Sequence, residues 1–125
     1  MAKLGEIMTG EVLTASSDAP VAEVAKSMVK RRVGSALVMQ SSLLVGIFTE
    51  RDVLRAAASG KDLNAARVSE WMTKDPETVD PDVEADAAAE LMLSRSFRHL
   101  PVLEGNDVVG IVSLRDVLST RVRRK

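Results

Sequence analysis

The chain is written twice. Shifted by 64 positions it matches itself without a gap from Glu6 onward. Glu6, Met8, Thr9, Thr14, Asp18, Ala25, Met28, Arg31, Val38, Val45, Gly46, Ile47, Arg51, Asp52, Val53 and Leu54 all meet the same residue in the second copy. That is about a third of the 50 positions between Glu6 and Arg55. Two copies are too few for a solenoid, which needs at least three repeats to bury a continuous core. Two copies instead favour halves related by a pseudo-twofold axis, each burying the other's apolar face. The expected division is residues 1–62 and 63–125, with "GKDLNAAR" (60–67) as the link.

Each copy reads as strand, helix, strand, strand, helix, which makes the fold class α/β. "VLTA" is a short apolar strand. In "SDAPVAEVAKSMVKRR", Asp18 is the expected N-cap and Pro20 sits early, where a missing N–H does little harm. Val21, Val24, Ala25, Met28 and Val29 fall on one helical face, as do Ala85, Ala88, Ala89, Met92 and Leu93 in the second copy. "SALVMQ" with "LLVGIFT", and "LPVLEG" with "DVVGIVS", are strand pairs across polar turns. "ERDVLRAAAS" and "LRDVLSTRVR" close the copies as helices. By the pseudosymmetry, the segment before Met8 is expected to pack on the second half as "SEWM" packs on the first.

Composition narrows the function. There is no cysteine, which excludes disulfides, thiolate metal sites and thiol nucleophiles, and fits a reducing compartment. A net charge of -1 does not single out nucleic acid or an anionic membrane as partner. No apolar run approaches a bilayer span, and "MAKLGEIMTGEV" lacks the apolar core of a signal peptide, so a soluble, cytoplasmic protein without a membrane is expected. One histidine, no cysteine and no legible nucleophile–base pair leave an enzyme as the least expected class. No metal site is expected.

The most conspicuous repeated stretch is "GIFTERDVL" (46–54) against "GIVSLRDVL" (110–118). Two readings stand side by side. Thr49-x-x-Asp52 and Ser113-x-x-Asp116 resemble a capping box at a strand-to-helix junction, worth about 1 kcal/mol per cap. The same geometry suits a ligand. A helix N-terminus offers free N–H groups to a phosphate, a hydroxyl adds a donor, and an aspartate one turn in can accept both hydroxyls of a ribose. Gly46 and Gly110 would leave the strand open to a ligand's approach. Neither the P-loop pattern nor G-x-G-x-x-G is present, so nucleotide hydrolysis and hydride transfer have no motif support.

"IMT" (7–9), "WMT" (71–73), "VGSALV", "RHLPVL" and the two G-h-h-[ST]-x-x-D stretches together resemble the cystathionine-β-synthase (CBS) domain in its tandem, or Bateman, arrangement. The resemblance covers nearly the whole chain. It implies two pseudo-twofold-related β-α-β-β-α units in one disc-like module, and clefts between the repeats for adenine nucleotides or other adenosyl compounds. AMP, ADP and ATP lead that group, with NAD and S-adenosylmethionine behind them; none is an obligatory cofactor. It assigns phosphate to Thr49 and Ser113 and ribose to Asp52 and Asp116. It completes the Asp52 cleft with Thr78, Arg98, His99 and Pro101, and the Asp116 cleft with Thr14, Gly34, Ser35 and Ala36. On that grouping Arg98 and His99 would make the Asp52 cleft the tighter nucleotide site.

Other residues have plainer readings. Met8 and Met72 are gap-fillers or adenine contacts, and Trp71 is a packing residue at the join of halves or subunits. Arg51 and Arg115 either reach a phosphate or face solvent. The expected function is a stand-alone sensor, homodimeric through alanine-rich helical faces (Ala56–Ala58, Ala85–Ala89), that signals to a regulated protein not named by the sequence. The rivals are a structural adaptor that binds no ligand and a nucleic-acid binder using the basic tail "RVRRK".

Overall fold

The structure, a computed structural model, describes residues 2–123, with side chains as far as Thr120. Along the chain run α1 (Leu4–Ile7), β1 (Thr14–Ser16), α2 (Val21–Arg31), β2 (Ser35–Gln40), β3 (Leu43–Thr49), α3 (Glu50–Ala58), α4 (Val68–Trp71), β4 (Thr73–Lys74), α5 (Ala85–Arg95), β5 (His99–Glu104), β6 (Asp107–Ser113) and α6 (Leu114–Arg123). The β-α-β-β-α order expected of each repeat is present, preceded in each by the short helix α1 or α4. Among the described residues no helix is long and apolar enough to cross a membrane.

Two compact units form. One is Leu13–Pro76; the other joins Met1–Val12 to Glu77–Lys125, of which residues 2–12 and 77–123 are described. In the Leu13–Pro76 unit the sheet order is β1-β2-β3-β4, with β1 parallel to β2 and the other pairs antiparallel. Strand β2 alternates little because it is buried: Ala36, Leu37 and Val38 are all inaccessible. Helix α2 lays Val21, Val24 and Met28 on the sheet, the i, i+3, i+7 spacing of one helical face. Those residues close a core with Ala36, Val38, Phe48, Ala56 and Val68.

The start of α2 differs from the sequence expectation. Asp18 does not cap it. Pro20 occupies the N-cap position in an extended conformation and brings no side-chain acceptor. The free N–H groups are met by the link instead: Val21 N–H donates to the Ala66 carbonyl at 2.9 Å and Ala22 N–H to Leu63 at 3.0 Å. Every helix must place its first N–H groups somewhere, and here distant backbone takes them. The other end of α2 and its counterpart in α5 also match. Arg32 (φ 57) and Ser96 (φ 61) are both left-handed, and Val33 and Phe97 N–H groups return to Met28 and Met92 carbonyls, as in a Schellman stop.

The second unit is held by its own N-terminal segment. Leu4 N–H donates to Val83 O, and Ala85 N–H at the start of α5 donates to Ala2 O, both at 2.9 Å. The equivalent bonds in the first unit are Val68 N–H to Ala19 O and Val21 N–H to Ala66 O. Leu4 and Val68 are both fully buried. Each unit therefore takes its leading segment from the other repeat, as expected for the segments around "IMT" and "WMT".

Two further details depart from expectation. The first strand of the second repeat shrinks to a single parallel bridge, Val79 to Val102. Asp80 turns its carboxylate back to Asp82 N–H, and Pro81 follows with no donor, so the ladder cannot extend. The alanines of α5 are also not a free face. Ala85, Ala88 and Ala89 are buried in their own unit's core with Leu4, Met92, Leu100, Val102, Val112 and Val117. In α3, Ala56 is likewise buried, while Ala57 and Ala58 are exposed.

Candidate functional site

The repeated turn forms in both units, where the last residue of a strand becomes the cap of a helix. Thr49 ends β3 in an extended conformation and α3 begins at Glu50. Its N–H donates to Asp52 Oδ2 at 2.9 Å, and its hydroxyl lies 3.2 Å from the same oxygen. Arg55 Nη1 donates to the other oxygen, Oδ1, at 3.0 Å. Asp52 is 5% exposed and, with Ser35, is one of the two buried polar side chains among the described residues. In the second unit Ser113 N–H donates to Asp116 Oδ2 at 3.2 Å, and Asp116 N–H donates back to Ser113 Oγ at 3.0 Å. That is a reciprocal capping box built with aspartate in place of glutamate.

The two turns differ in what surrounds the carboxylate. Arg55 is over half exposed, and its guanidinium lies 5.6 Å from the centre of the Trp71 ring. Lys61 stands 5.9 Å from that ring. Trp71 belongs to the second repeat but packs against the core of the unit that holds Asp52. The second repeat has Ser119 where the first has Arg55, and Ile7 stands where Trp71 would be. Among the described residues no ion pair involves Asp116.

The remaining candidates fall into place by strand register. Ser35 is opposite Thr49 and Ala36 is opposite Phe48. Gly34 carbonyl accepts Glu50 N–H at 3.0 Å, and Thr14 pairs with Leu37 on the neighbouring strand. In the other unit His99 is opposite Ser113, and Pro101 is opposite Ile111. Arg98 carbonyl accepts Leu114 N–H at 2.8 Å, and Thr78 immediately precedes the Val79 bridge to Val102. Within one unit Gly34 and Ser35 thus stand beside Thr49 and Glu50, and within the other Arg98 and His99 stand beside Ser113 and Leu114. The reason is the hairpin: the first residue of β2 or β5 must lie beside the last residue of β3 or β6, hence beside the helix that follows.

The glycines do not open a path. A Cβ on Gly46 would collide with Met72 Sδ and lie 3.0 Å from the Thr73 carbonyl. A Cβ on Gly110 would lie 2.7 Å from Met8 Sδ and 2.9 Å from the Thr9 carbonyl. The space is filled by a methionine and a crossing strand, so these glycines serve packing. Sequence reasoning had no sign of this, because the methionines are brought in from the other repeat.

Arg51 and Arg115 are both exposed. The side chains of the basic tail lie outside the described residues. Among the described residues no group of three or more histidine, cysteine, aspartate or glutamate side chains is arranged to hold a metal.

Comparison with known proteins agrees with the repeat. The CBS domain family model matches twice, over residues 4–59 and 68–123. An uncharacterized 17.7 kDa protein of Acidianus ambivalens is 40% identical over 117 residues, covering 92% of this chain and 70% of that one. The CBS domain-containing protein YhcV of Bacillus subtilis is 34% identical, covering 94% of this chain and 84% of its own. The crystal structure of the CBS domain pair of protein MJ0100, in complex with 5′-methylthioadenosine and S-adenosyl-L-methionine, superimposes with a TM-score of 0.92 at 27% identity, over 100% of this chain and 99% of that one. With both copies matched along nearly their whole length, the chain belongs to the CBS domain family, as a tandem pair.

Proposed function

We propose that this chain is a non-catalytic regulatory module that senses an adenosyl compound at its two strand-to-helix turns and passes the result to a partner. The observation that carries the reading is Asp52. A carboxylate buried to 5% exposure is costly to hold there unless it is well partnered. Here it stands at a helix N-terminus, with Oδ2 accepting from Thr49 N–H and Oδ1 from Arg55. That arrangement presents a ribose acceptor beside phosphate donors. The adenosyl compounds bound by the MJ0100 pair support the ligand class. AMP, ADP, ATP, NAD and S-adenosylmethionine are the candidates.

The two turns are unequal. Arg98 and His99 accompany Ser113 and Asp116, where an anionic group would find positive charge and Asp116 has no paired arginine among the described residues. At the other turn Gly34 and Ser35 bring no charge, and Arg55 already holds Asp52. On this reading the Asp116 turn is the tighter site for a phosphorylated ligand. Titration calorimetry of Asp52→Asn and Asp116→Asn variants with each candidate tests this. A larger loss in Asp116→Asn supports the ranking, and equal losses defeat it.

The output passes through association of modules, with a homodimer as the signalling unit and a regulated protein beyond it. A ligand shifts that output only by binding one state better than the other. A second reading, a structural adaptor without ligand, has one observation in its favour: both turns satisfy their own caps without help. It predicts no stabilisation by any adenosyl compound.

A further inference from the structure

Arg55 has two partners, both in its own unit. Its Nη1 lies 3.0 Å from Asp52 Oδ1, and its guanidinium lies 5.6 Å from the centre of the Trp71 ring. The Lys61 ammonium lies 5.9 Å from the same ring. Thr49 takes the other carboxylate oxygen through its N–H and its hydroxyl. Both oxygens of Asp52 are therefore occupied by the chain itself. The carboxylate is buried, whereas the arginine is over half exposed. Of the two, the guanidinium is the group with room to leave.

The second repeat has the cap without this addition. Ser113 N–H donates to Asp116 Oδ2 as Thr49 N–H does to Asp52. Ser119 holds the place of Arg55, and Ile7 that of Trp71. Capping therefore does not need the arginine, because Asp116 and Ser113 form their box without one. Stability does not need it either, since an ion pair with one partner this exposed adds little. What the arginine does alter is access. It sits on the one carboxylate oxygen that the cap leaves over, so it acts on anything else that would use that oxygen.

We propose that Arg55 is a latch on the Asp52 turn, and that it carries the occupancy of that turn to Trp71. With the latch closed, the guanidinium holds Oδ1, an acceptor that a ribose diol needs. Diol and guanidinium compete for it. A ligand then binds only the fraction of chains whose latch is open, and its apparent affinity falls by that fraction. The coupling is reciprocal: a ligand that takes Oδ1 drives Arg55 off the carboxylate and changes its place beside the Trp71 ring. The second repeat, with Ser119 and Ile7, has neither the gate nor the reporter. The inference rests on the adenosyl reading of the Asp52 turn and adds how that turn is gated.

Trp71 is the sole tryptophan, so its emission reports on the guanidinium beside it. AMP and the uncharged 5′-methylthioadenosine are titrated into the full chain carrying Asp116→Asn, and into the same chain carrying Arg55→Met as well. Calorimetry gives the affinity, and tryptophan emission, excited beyond the adenine band, gives the state of the ring. The expected result is binding about two- to fivefold tighter in the Arg55→Met chain, the strength of a half-exposed ion pair. The sign is diagnostic for AMP, because a cation that merely attracted the phosphate would make its loss weaken binding. The emission change seen on binding with Arg55 present should be lost in Arg55→Met although the ligand still binds. Equal or weaker binding by Arg55→Met would overturn the latch and leave the adenosyl reading in place. An emission change of the same size in both chains would overturn the link to Trp71. No binding of either compound by either chain would overturn the latch together with the adenosyl reading of this turn.

Discussion

The Arg55 guanidinium stands 3.0 Å from Asp52 Oδ1, one turn along α3, while Thr49 holds Oδ2 of the same carboxylate. Asp52 is buried and Arg55 is over half exposed. The ion pair itself therefore contributes little, and the buried cap contributes more.

Removing the carboxylate separates these contributions. Asp52→Ala should cost about 1–3 kcal/mol, because it strips Thr49 N–H of its acceptor. Asp52→Asn should cost less, since an amide oxygen still accepts that bond. Arg55→Met should cost under about 1 kcal/mol, because the exposed guanidinium is screened by solvent. Urea denaturation of the three variants checks the order. An Arg55→Met cost as large as that of Asp52→Ala would mean that the pair, not the cap, holds the turn.

The glycine–methionine contacts give a coupling. Gly46→Ala forces a Cβ into the Met72 thioether and should destabilise by about 1–3 kcal/mol. Met72→Ala alone leaves a gap. Together the two changes should cost at least about 0.5 kcal/mol less than their sum, because each relieves the other. A double-mutant cycle that adds without remainder would rule out the packing role assigned to Gly46.

The left-handed stops predict stabilising changes. Arg32 and Ser96 hold φ near +60° without being glycine. Arg32→Gly and Ser96→Gly should each raise stability by about 1 kcal/mol. A shift in denaturation midpoint at constant slope would show it.

The exchanged N-terminal segment is expected to matter as a core element. Leu4→Ala removes a fully buried side chain from the unit that holds α5 and α6 and should cost about 2–5 kcal/mol. A cost below about 1 kcal/mol would mean that this segment is not part of the folded unit.

Much of this was legible beforehand, and the exceptions share a cause. The period-2 and period-3.6 patterns placed the strands and helices, and Thr49-x-x-Asp52 marked where α3 begins. These are local signals. The misread features depend on what the chain brings from afar. Asp18 lost the cap of α2 to Ala66 and Leu63, more than 40 positions away. Gly46 lost its open face to Met72, and Ala85, Ala88 and Ala89 lost theirs to the core that Leu4 closes. Arg98 and His99 enter as site residues only through the family resemblance, and the β5–β6 register puts His99 beside Ser113.

The most direct measurement is a thermal-shift series on the wild-type chain with AMP, ADP, ATP, NAD and S-adenosylmethionine, repeated on Asp116→Asn and Asp52→Asn. A ligand at 100 times its dissociation constant adds about 2.7 kcal/mol, several degrees for a chain of this size. The sensor reading expects such a rise with at least one of them, reduced most by Asp116→Asn when the ligand carries phosphate. Flat curves for all five at millimolar concentration would contradict it, leaving both turns as helix caps and nothing more.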